Sequence, residues 1–299
     1  MRPVAPYHEG ELAVQERAGV SDMARRIARG VRAEIPPVAA GFLAEQRLVV
    51  MGWVDDGDGD GGDGRVWASP LVGEPGFIAA DGAGLLGIRA SLVPGDPLAG
   101  RARPPADAGL LAIDFATRRR MRINGVAIGE RPGAFHVLPD QVYSNCPKYI
   151  QARELMPDAP APAPGPATCS SSLTGAQAAL IARADTFFIA TCHREAGADA
   201  SHRGGRPGFV QVADGGGSLS WPDYTGNAMF QTLGNIAADD RAGLLVIDFD
   251  SGSTLQLSGT ARIVWQPERR VEYSIERVVE IPSALPLRWR FVAASPFNP

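Results

Sequence analysis

Apolar positions fall into two kinds of pattern along this chain. Met23, Ile27, Val31 and Ile35 recur at the spacing of a helix that buries one face. They predict a helix over 21–35, capped by Ser21 or Asp22 and ended by Pro36-Pro37. A second short helix is expected over 38–46. The pattern then changes to short, almost continuous apolar runs. "RLVVMGWV" and "RVWASPLV" read as two strands around a polar loop, and "PGFIAA", "GLLAIDF" and "RRRMRINGVAI" continue the strand pattern. "AFHVLPDQVYSNCPKYIQAREL" reads as a strand, a turn and a helix, with Ser144 or Asn145 as N-cap and Pro147 in the first turn.

The Pro/Ala stretch "MPDAPAPAPGPAT", 156–168, interrupts this pattern as a semi-rigid linker. The segments on either side resemble each other. "EPGFI" (74–78) matches "RPGFV" (206–210) at an offset of 206 − 74 = 132. "GLLAIDF" (109–115) matches "GLLVIDF" (243–249), and "RINGVA" (122–127) aligns with "QLSGTA" (256–261), both at an offset of 134. Blocks in one order at nearly constant offset indicate an internal duplication. Few long helices and many short strands with Gly turns point to a mainly β protein: small β-barrels with peripheral helices rather than a Rossmann sheet. The expected layout is an N-terminal arm and helix (1–36), a first barrel (37–155), the linker (156–170) and a second barrel (171–299).

Composition narrows the function classes. Of 299 residues, 29 are Lys or Arg and 33 Asp or Glu, a net charge of −4. That balance, with no basic amphipathic stretch, argues against nucleic-acid and membrane-surface partners. No apolar run reaches the roughly 18 residues of a membrane span. The first residues lack the apolar core of a secretory signal, and Cys146, Cys169 and Cys192 are too few for a disulfide framework, so a reducing cytoplasm is expected. No metal is expected: Cys192-His193 and His202 lack ligand spacing. "DDGDGDGGDG" (55–64) has Trp67 where a calcium loop starting at Asp56 needs its bidentate Glu, and reads as an acidic hairpin loop. "TRRR" (117–120) reads as a solvated turn.

The two copies differ in chemistry. At the offset of 132, Pro70 and Leu71 stand where the second copy has His202 and Arg203, and Glu74 stands where it has Arg206. "SHRGGR" offers a hydroxyl, an imidazole, two guanidiniums and two glycines, a set suited to an anion such as phosphate. Asn227, Thr232 and Asn235 add neutral donors and acceptors for a heterocycle edge or a ribityl chain.

"ADTFFIAT", "DASHRGGRPGFV", "DYTGNAMFQTLGNI", "GLLVIDF" and "LSGTARI", in this order, resemble the pyridoxamine 5′-phosphate oxidase-like, FMN-binding split-barrel superfamily, as does "NCPKYIQ" in the first copy. The resemblance covers most of 38–280. It implies two tandem split barrels, with FMN bound in a groove between paired barrels. It assigns the phosphate to Ser201 and Arg203, with Arg206 beside them, and phosphate and flavin contacts to Thr225, Asn227, Gln231 and Asn235. The implied activity is that of an FMN-dependent oxidoreductase on a small-molecule substrate. Other members bind deazaflavin or haem, and a non-catalytic flavin carrier is the alternative. The Arg-to-Lys spacing ahead of the strand and the Ser-Arg-Lys-type cluster after it are absent here, so the resemblance does not carry the pyridoxamine phosphate substrate. Two barrels in one chain can pair as an internal pseudo-dimer with one functional groove, leaving other surfaces for homodimerisation.

Lys148 is the only lysine of the chain. At the start of the helix expected after Asn145, a cation would oppose the helix dipole, which suggests an anion bound beside it. Lys148 and His202 are therefore the candidates nearest a substrate, as charge stabiliser and proton donor.

Overall fold

A computed structural model of the protein describes residues 6–57, 64–131, 133–157 and 159–299. Three helices lead the chain: α1 (Glu9–Arg17), α2 (Ser21–Ala28) and α3 (Pro37–Ala44). Seven strands follow: β1 (Leu48–Val54), β2 (Val66–Val72), β3 (Ile78–Ala80), β4 (Leu86–Ile88), β5 (Ala106–Asp114), β6 (Arg119–Arg131) and β7 (Ala134–Ser144). Two short strands, β8 (Ala152–Leu155) and β9 (Thr168–Ser170), flank the Pro/Ala stretch. The rest comprises α4 (Gly175–Arg183), β10 (Thr186–His193), β11 (Gly197–Gly204), β12 (Gln211–Val212), β13 (Ser218–Pro222), α5 (Gln231–Ala238), β14 (Arg241–Ile247), β15 (Thr254–Val264), β16 (Arg270–Ile281) and β17 (Trp289–Ala293).

The fold is mainly β, and it contains the same sheet twice. The first sheet runs β2-β1-β5-β6-β7-β4-β3 and the second β11-β10-β14-β15-β16-β13-β12, with every pairing antiparallel. Registers agree as well as topology. Val50 lies between Pro70 and Leu111, and Phe188 between His202 and Leu245. The offsets are 202 − 70 = 132 and 245 − 111 = 134, those seen in the sequence. A register shift falls between Asn124 and Gly125 in one sheet and between Ser258 and Gly259 in the other, again 134 residues apart. Glycine is required at both, because a Cβ would run into the carbonyl of the neighbouring strand, at Leu138 or Ser274.

The near-continuous apolar runs follow from burial on both faces. In β1, Val49, Met51 and Trp53 fill the first barrel, while Leu48 and Val50 join a second core. In β10, Phe187 and Ile189 fill the second barrel, while Phe188 and Ala190 join that same second core. This shared layer, to which Leu111, Ile113, Leu245 and Ile247 also belong, packs one sheet on the other. Burial of each such Leu, Ile or Phe contributes about 1.5–3 kcal/mol. The backbones meet at two equivalent glycines. A Cβ on Gly109 would strike the backbone of Asp199 on β11, and one on Gly243 would strike Trp67 on β2. Gly243 − Gly109 is 134 and Asp199 − Trp67 is 132, so the two contacts exchange under a pseudo-twofold axis.

Several local expectations change. The helix expected over 21–35 stops at Ala28: Gly30 follows, and Arg32 instead pairs with Val142 on β7. No helix follows Pro147, because 152–155 is drawn out as β8 to pair with β17, a partner more than 130 residues away. "TRRR" is a turn only at its start. Arg119 and Arg120 already belong to β6. The Pro/Ala stretch ends in β9, which pairs with β16. Residues 58–63 of the acidic hairpin loop lie outside the described residues. Among the described residues, no helix is long and apolar enough to cross a membrane.

Candidate functional site

The pseudo-twofold arrangement creates two equivalent grooves, each bounded by the fourth long strand of one sheet and the outer strand of the other. One is bounded by β6 and β11, the other by β15 and β2. Their chemistry has diverged.

In the first groove, alternation along β6 sends Met121 and Ile123 into the first barrel and leaves Arg120, Arg122 and Asn124 on the face towards β11. Strand β11 answers with Ser201, His202 and Arg203. Asn227 and the first turn of α5, including Gln231, close a third side, and the segment after β7, with Asn145, Lys148 and Tyr149, closes the fourth. The cavity they enclose measures about 110 Å³.

The groove is strongly cationic. Arg122 pairs with Asp199 and donates from Nη1 to Gln231 Oε1 at 3.1 Å. Asp223 is bound by Arg269 at 2.7 Å. Among the described residues, Arg120, Arg203 and Lys148 line the groove without an ion-paired carboxylate, although the Asp223 charge is near enough to favour the charged form of Arg203. Arg203 donates to Ser201 Oγ at 2.7 Å and Arg120 to the Cys146 carbonyl at 2.8 Å. Burial, and then the charges of Arg203 and Arg122, lower Arg120 to about 9, so it remains cationic at neutral pH. Burial also lowers Arg122 and Arg203. Such a group of cations is relieved by an anion placed among them. The positive end of α5 adds to this preference, and Ala228 and Phe230 leading into it take left-handed conformations unusual for residues with side chains.

His202 is buried, and its Nδ1 lies 2.8 Å from Arg120 Nη1. Arginine can only donate, so Nδ1 accepts and the proton resides on Nε2. Burial and the charges of Arg120, Arg203 and Arg153 push the imidazole well below its ordinary pKa. Among the described residues, His202 Nε2, Arg120 Nε and Asn145 Oδ1 are buried without a hydrogen-bond partner.

The second groove is filled. At the positions equivalent to Arg120 and Arg122 stand Thr254 and Gln256, both buried. Gln256 Nε2 donates to the Ala68 carbonyl, Ser69 Oγ and Asp96 Oδ2 at 2.9–3.1 Å, and Ser69 Oγ donates to Asp96 Oδ1 at 2.8 Å. Burial pushes Asp96 up to about 6. A carboxyl plug stands where the first groove gathers arginines.

Of the residues singled out in the sequence, Lys148, Ser201, His202, Arg203, Asn227 and Gln231 meet in the first groove. Thr225 borders it through its carbonyl, which accepts from Tyr149 Oη at 3.0 Å. Arg206 stands outside, because it follows the end of β11, is exposed, and donates to the Pro299 carbonyl at 2.8 Å. Asn235 is also outside. One turn after Gln231, it faces α1, where Oδ1 accepts from His8 at 2.8 Å and Nδ2 donates to Thr191 at 2.9 Å. Lys148 reaches the groove, though from an irregular segment rather than a helix start. The groove also takes in Arg120, Arg122, Asn145 and Tyr149, which are not among the site residues expected from the sequence. The alternation of Arg120, Arg122 and Asn124 with Met121 and Ile123 is the signal that marks the first two.

Beside α1, His8, Glu9 and His193 bring ligand atoms within 4.8 Å of one another. Each imidazole accepts backbone N–H groups at Nδ1, from Gly10 or from Glu195 and Ala196, so Nε2 keeps its proton and donates to Asn235 or Glu9. In that tautomer both ring nitrogens of each histidine are engaged with protein partners.

Residues 173–288 match the family model described as pyridoxamine 5′-phosphate oxidase. No curated protein matches the chain. Among solved structures, a candidate pyridoxamine 5′-phosphate oxidase from Lactobacillus delbrueckii is similar at 19% identity and TM-score 0.30, covering 36% of this chain and 94% of its own. A FAD-binding protein from Mesorhizobium loti is similar at 11% identity and TM-score 0.28, covering 39% and 97%. A FAD-binding protein from Mycobacterium smegmatis is similar at 11% identity and TM-score 0.27, covering 38% and 98%. The family match thus falls on residues 173–288, the part of the chain that carries the second sheet, and there the chain is similar to the pyridoxamine 5′-phosphate oxidase family.

Proposed function

We propose that the chain binds FMN non-covalently in the cationic groove and acts as an FMN-dependent oxidoreductase on a small molecule. The observation that carries this reading is the gathering of Arg120, Arg203 and Lys148, from both sheets, in one groove whose pseudo-twofold mate holds Asp96 instead. A phosphate monoester supplies the missing negative charge, and Ser201 and Arg203 are its holders, with the first turn of α5 behind them. Buried donors and acceptors that lack partners, among them His202 Nε2 and Asn145 Oδ1, suit the polar edge of a ring system. Bound flavin would supply the redox chemistry, so the protein needs no nucleophile of its own.

The chain's own residues have narrower tasks. Arg120 fixes the His202 tautomer and keeps Nε2–H available as a neutral hydrogen-bond donor. Lys148 and Arg120 favour an anionic form of whatever lies beside the ring. The walls from both sheets exclude water. The sheets act as an internal pseudo-dimer, which leaves the copy with the Asp96 plug free to lose its phosphate residues. The two sheets descend, in this reading, from a duplicated barrel.

The absorption spectrum of the purified protein and mass spectrometry of its released ligand test the cofactor. FMN supports the reading, whereas haem, a deazaflavin or no ligand after incubation with FMN overturns it. Anaerobic reduction by NADH or NADPH followed by reoxidation in air supports the oxidoreductase. Bound flavin that no such donor reduces indicates a carrier.

A further inference from the structure

We propose that Tyr149 is the gate of the groove, closing on the ring of the bound ligand, and that Gln151 and Ser295 are the positioning residues that hold it there. This rests on the flavin reading and adds residues that lie outside 173–288.

Tyr149 has φ +66°, in the left-handed region where a residue with a side chain is strained. Such strain persists where the surroundings over-determine it, and it concentrates at ligand clamps. Here every polar group of the residue is committed. Its N–H donates to Ser295 Oγ at 3.1 Å, its carbonyl accepts from Gln151 Nε2 at 3.1 Å, and its hydroxyl donates to the Thr225 carbonyl at 3.0 Å. The carbonyl also sits where a Cβ on Gly204 would be, so the glycine after Arg203 is what lets Tyr149 seat against β11.

Gln151 ties this arrangement to two other segments. It is buried, and its Nε2 also donates to the Gly205 carbonyl at 3.2 Å. Its Oε1 accepts from the Ser295 backbone N–H at 2.8 Å and from Asn298 Nδ2 at 3.0 Å. One amide thus joins the Lys148-Tyr149 wall, the end of the strand carrying Arg203, and segment 295–298. Phe297 of that segment lies under Lys148 Nζ, 5.8 Å from the ring centroid.

The hydroxyl contact spans the groove. Tyr149 comes from the first sheet's side and Thr225 from the second, and the Tyr149 and Tyr224 rings meet at the same place, 5.3 Å apart. A cavity of about 110 Å³ is below the roughly 300–1,000 Å³ of pockets that enclose ligands of this class. A flavin ring therefore enters only while this bridge is open; the groove widens around the ring, and the bridge re-forms across it to hold it. Once the ring is in, Tyr149 is placed to pack on it and slow its release.

The test uses the full chain loaded with FMN and measures FMN release by dilution, together with quenching of flavin fluorescence, which an adjacent tyrosine produces. Y149F keeps the ring and removes the bridge; it is expected to release FMN about fivefold faster, the worth of one neutral hydrogen bond, with quenching retained. Y149L is expected to lose most of the quenching. The double variant S295A/N298A, which leaves the groove lining untouched, is expected to speed release at least as much as Y149F. Release rates and quenching unchanged across Y149F, Y149L and S295A/N298A overturn the gate while leaving the flavin reading intact. Wild-type protein that takes up no FMN overturns both.

Discussion

Arg120 on β6 of one sheet and His202 on β11 of the other meet at 2.8 Å, and the contact fixes the protonation of the histidine. Burial and three arginines hold His202 well below its ordinary pKa. In the folded protein the imidazole stays neutral while the unfolded chain takes up a proton below about 6.5. The unfolded state then binds more protons, so this group lowers stability as pH falls through that value. Nitrogen-edited NMR of the imidazole between about pH 5 and 8 is expected to show one neutral species with Nδ1 unprotonated and no titration. A titrating His202 would contradict the contact.

Arg203→Ala and Arg120→Ala are each expected to weaken FMN binding by about 10–100-fold, corresponding to the 1.5–3 kcal/mol of a charge-assisted hydrogen bond. Arg119→Ala is the matched control. Arg119 is next to Arg120 but points to the opposite face of β6, where its guanidinium lies over Phe42 at 4.8 Å. Fluorescence titration with FMN separates the three, and Arg119→Ala is expected to remain within about twofold of wild type.

The filled groove predicts the converse. Asp96→Ala strips Gln256 and Ser69 of a buried acceptor and is expected to cost about 1–3 kcal/mol of stability without changing FMN affinity. Urea denaturation and FMN titration of the same variant check both halves.

Glu11 carries a pH dependence of its own. Burial pushes its carboxyl up to about 8. The folded state keeps a proton that the unfolded chain loses above about 4.5, so stability falls as pH rises from there to about 8. Glu11→Gln retains an acceptor for the His8 N–H and removes this loss. It is expected to raise stability at pH 8.5 by about 1–3 kcal/mol and to change little near pH 4.5, as read by denaturation at the two pH values.

The two sheets approach closely enough that Gly109 and Gly243 tolerate no side chain. Gly109→Ala and Gly243→Ala are each expected to lose about 1–3 kcal/mol, because the obstructing atoms are backbone. Gly41→Ala, in α3 with open space around it, is expected to gain about 0.5–1 kcal/mol instead. Thermal unfolding of the three variants distinguishes the cases.

What the sequence disclosed was local or repeated. The strands around Val49, Leu110, Ile189 and Leu244 are legible because burial on both faces leaves unbroken apolar runs, and the offsets of 132 and 134 reappear in the strand registers. His202 and Arg203 stand out because their equivalents are Pro70 and Leu71, whereas Ser201, whose equivalent Ser69 is also a serine, is marked by the family resemblance alone. The structure departs from the local pattern where a distant partner decides. Residues 152–155 carry helix-compatible side chains, but pairing with β17 draws them into a strand. Asn235 shares a helix face with Gln231, and only the arrival of α1 turns it to His8. Arg120 resembled a surface turn cation until β11 was placed opposite it.

The most direct test of the account is the stoichiometry of FMN binding by isothermal titration of the ligand-free protein. The account predicts a single site per chain that weakens by at least about tenfold in both Arg203→Ala and Arg120→Ala, since arginines from both sheets grip one phosphate. Two equal sites per chain, or binding indifferent to both substitutions, would contradict it.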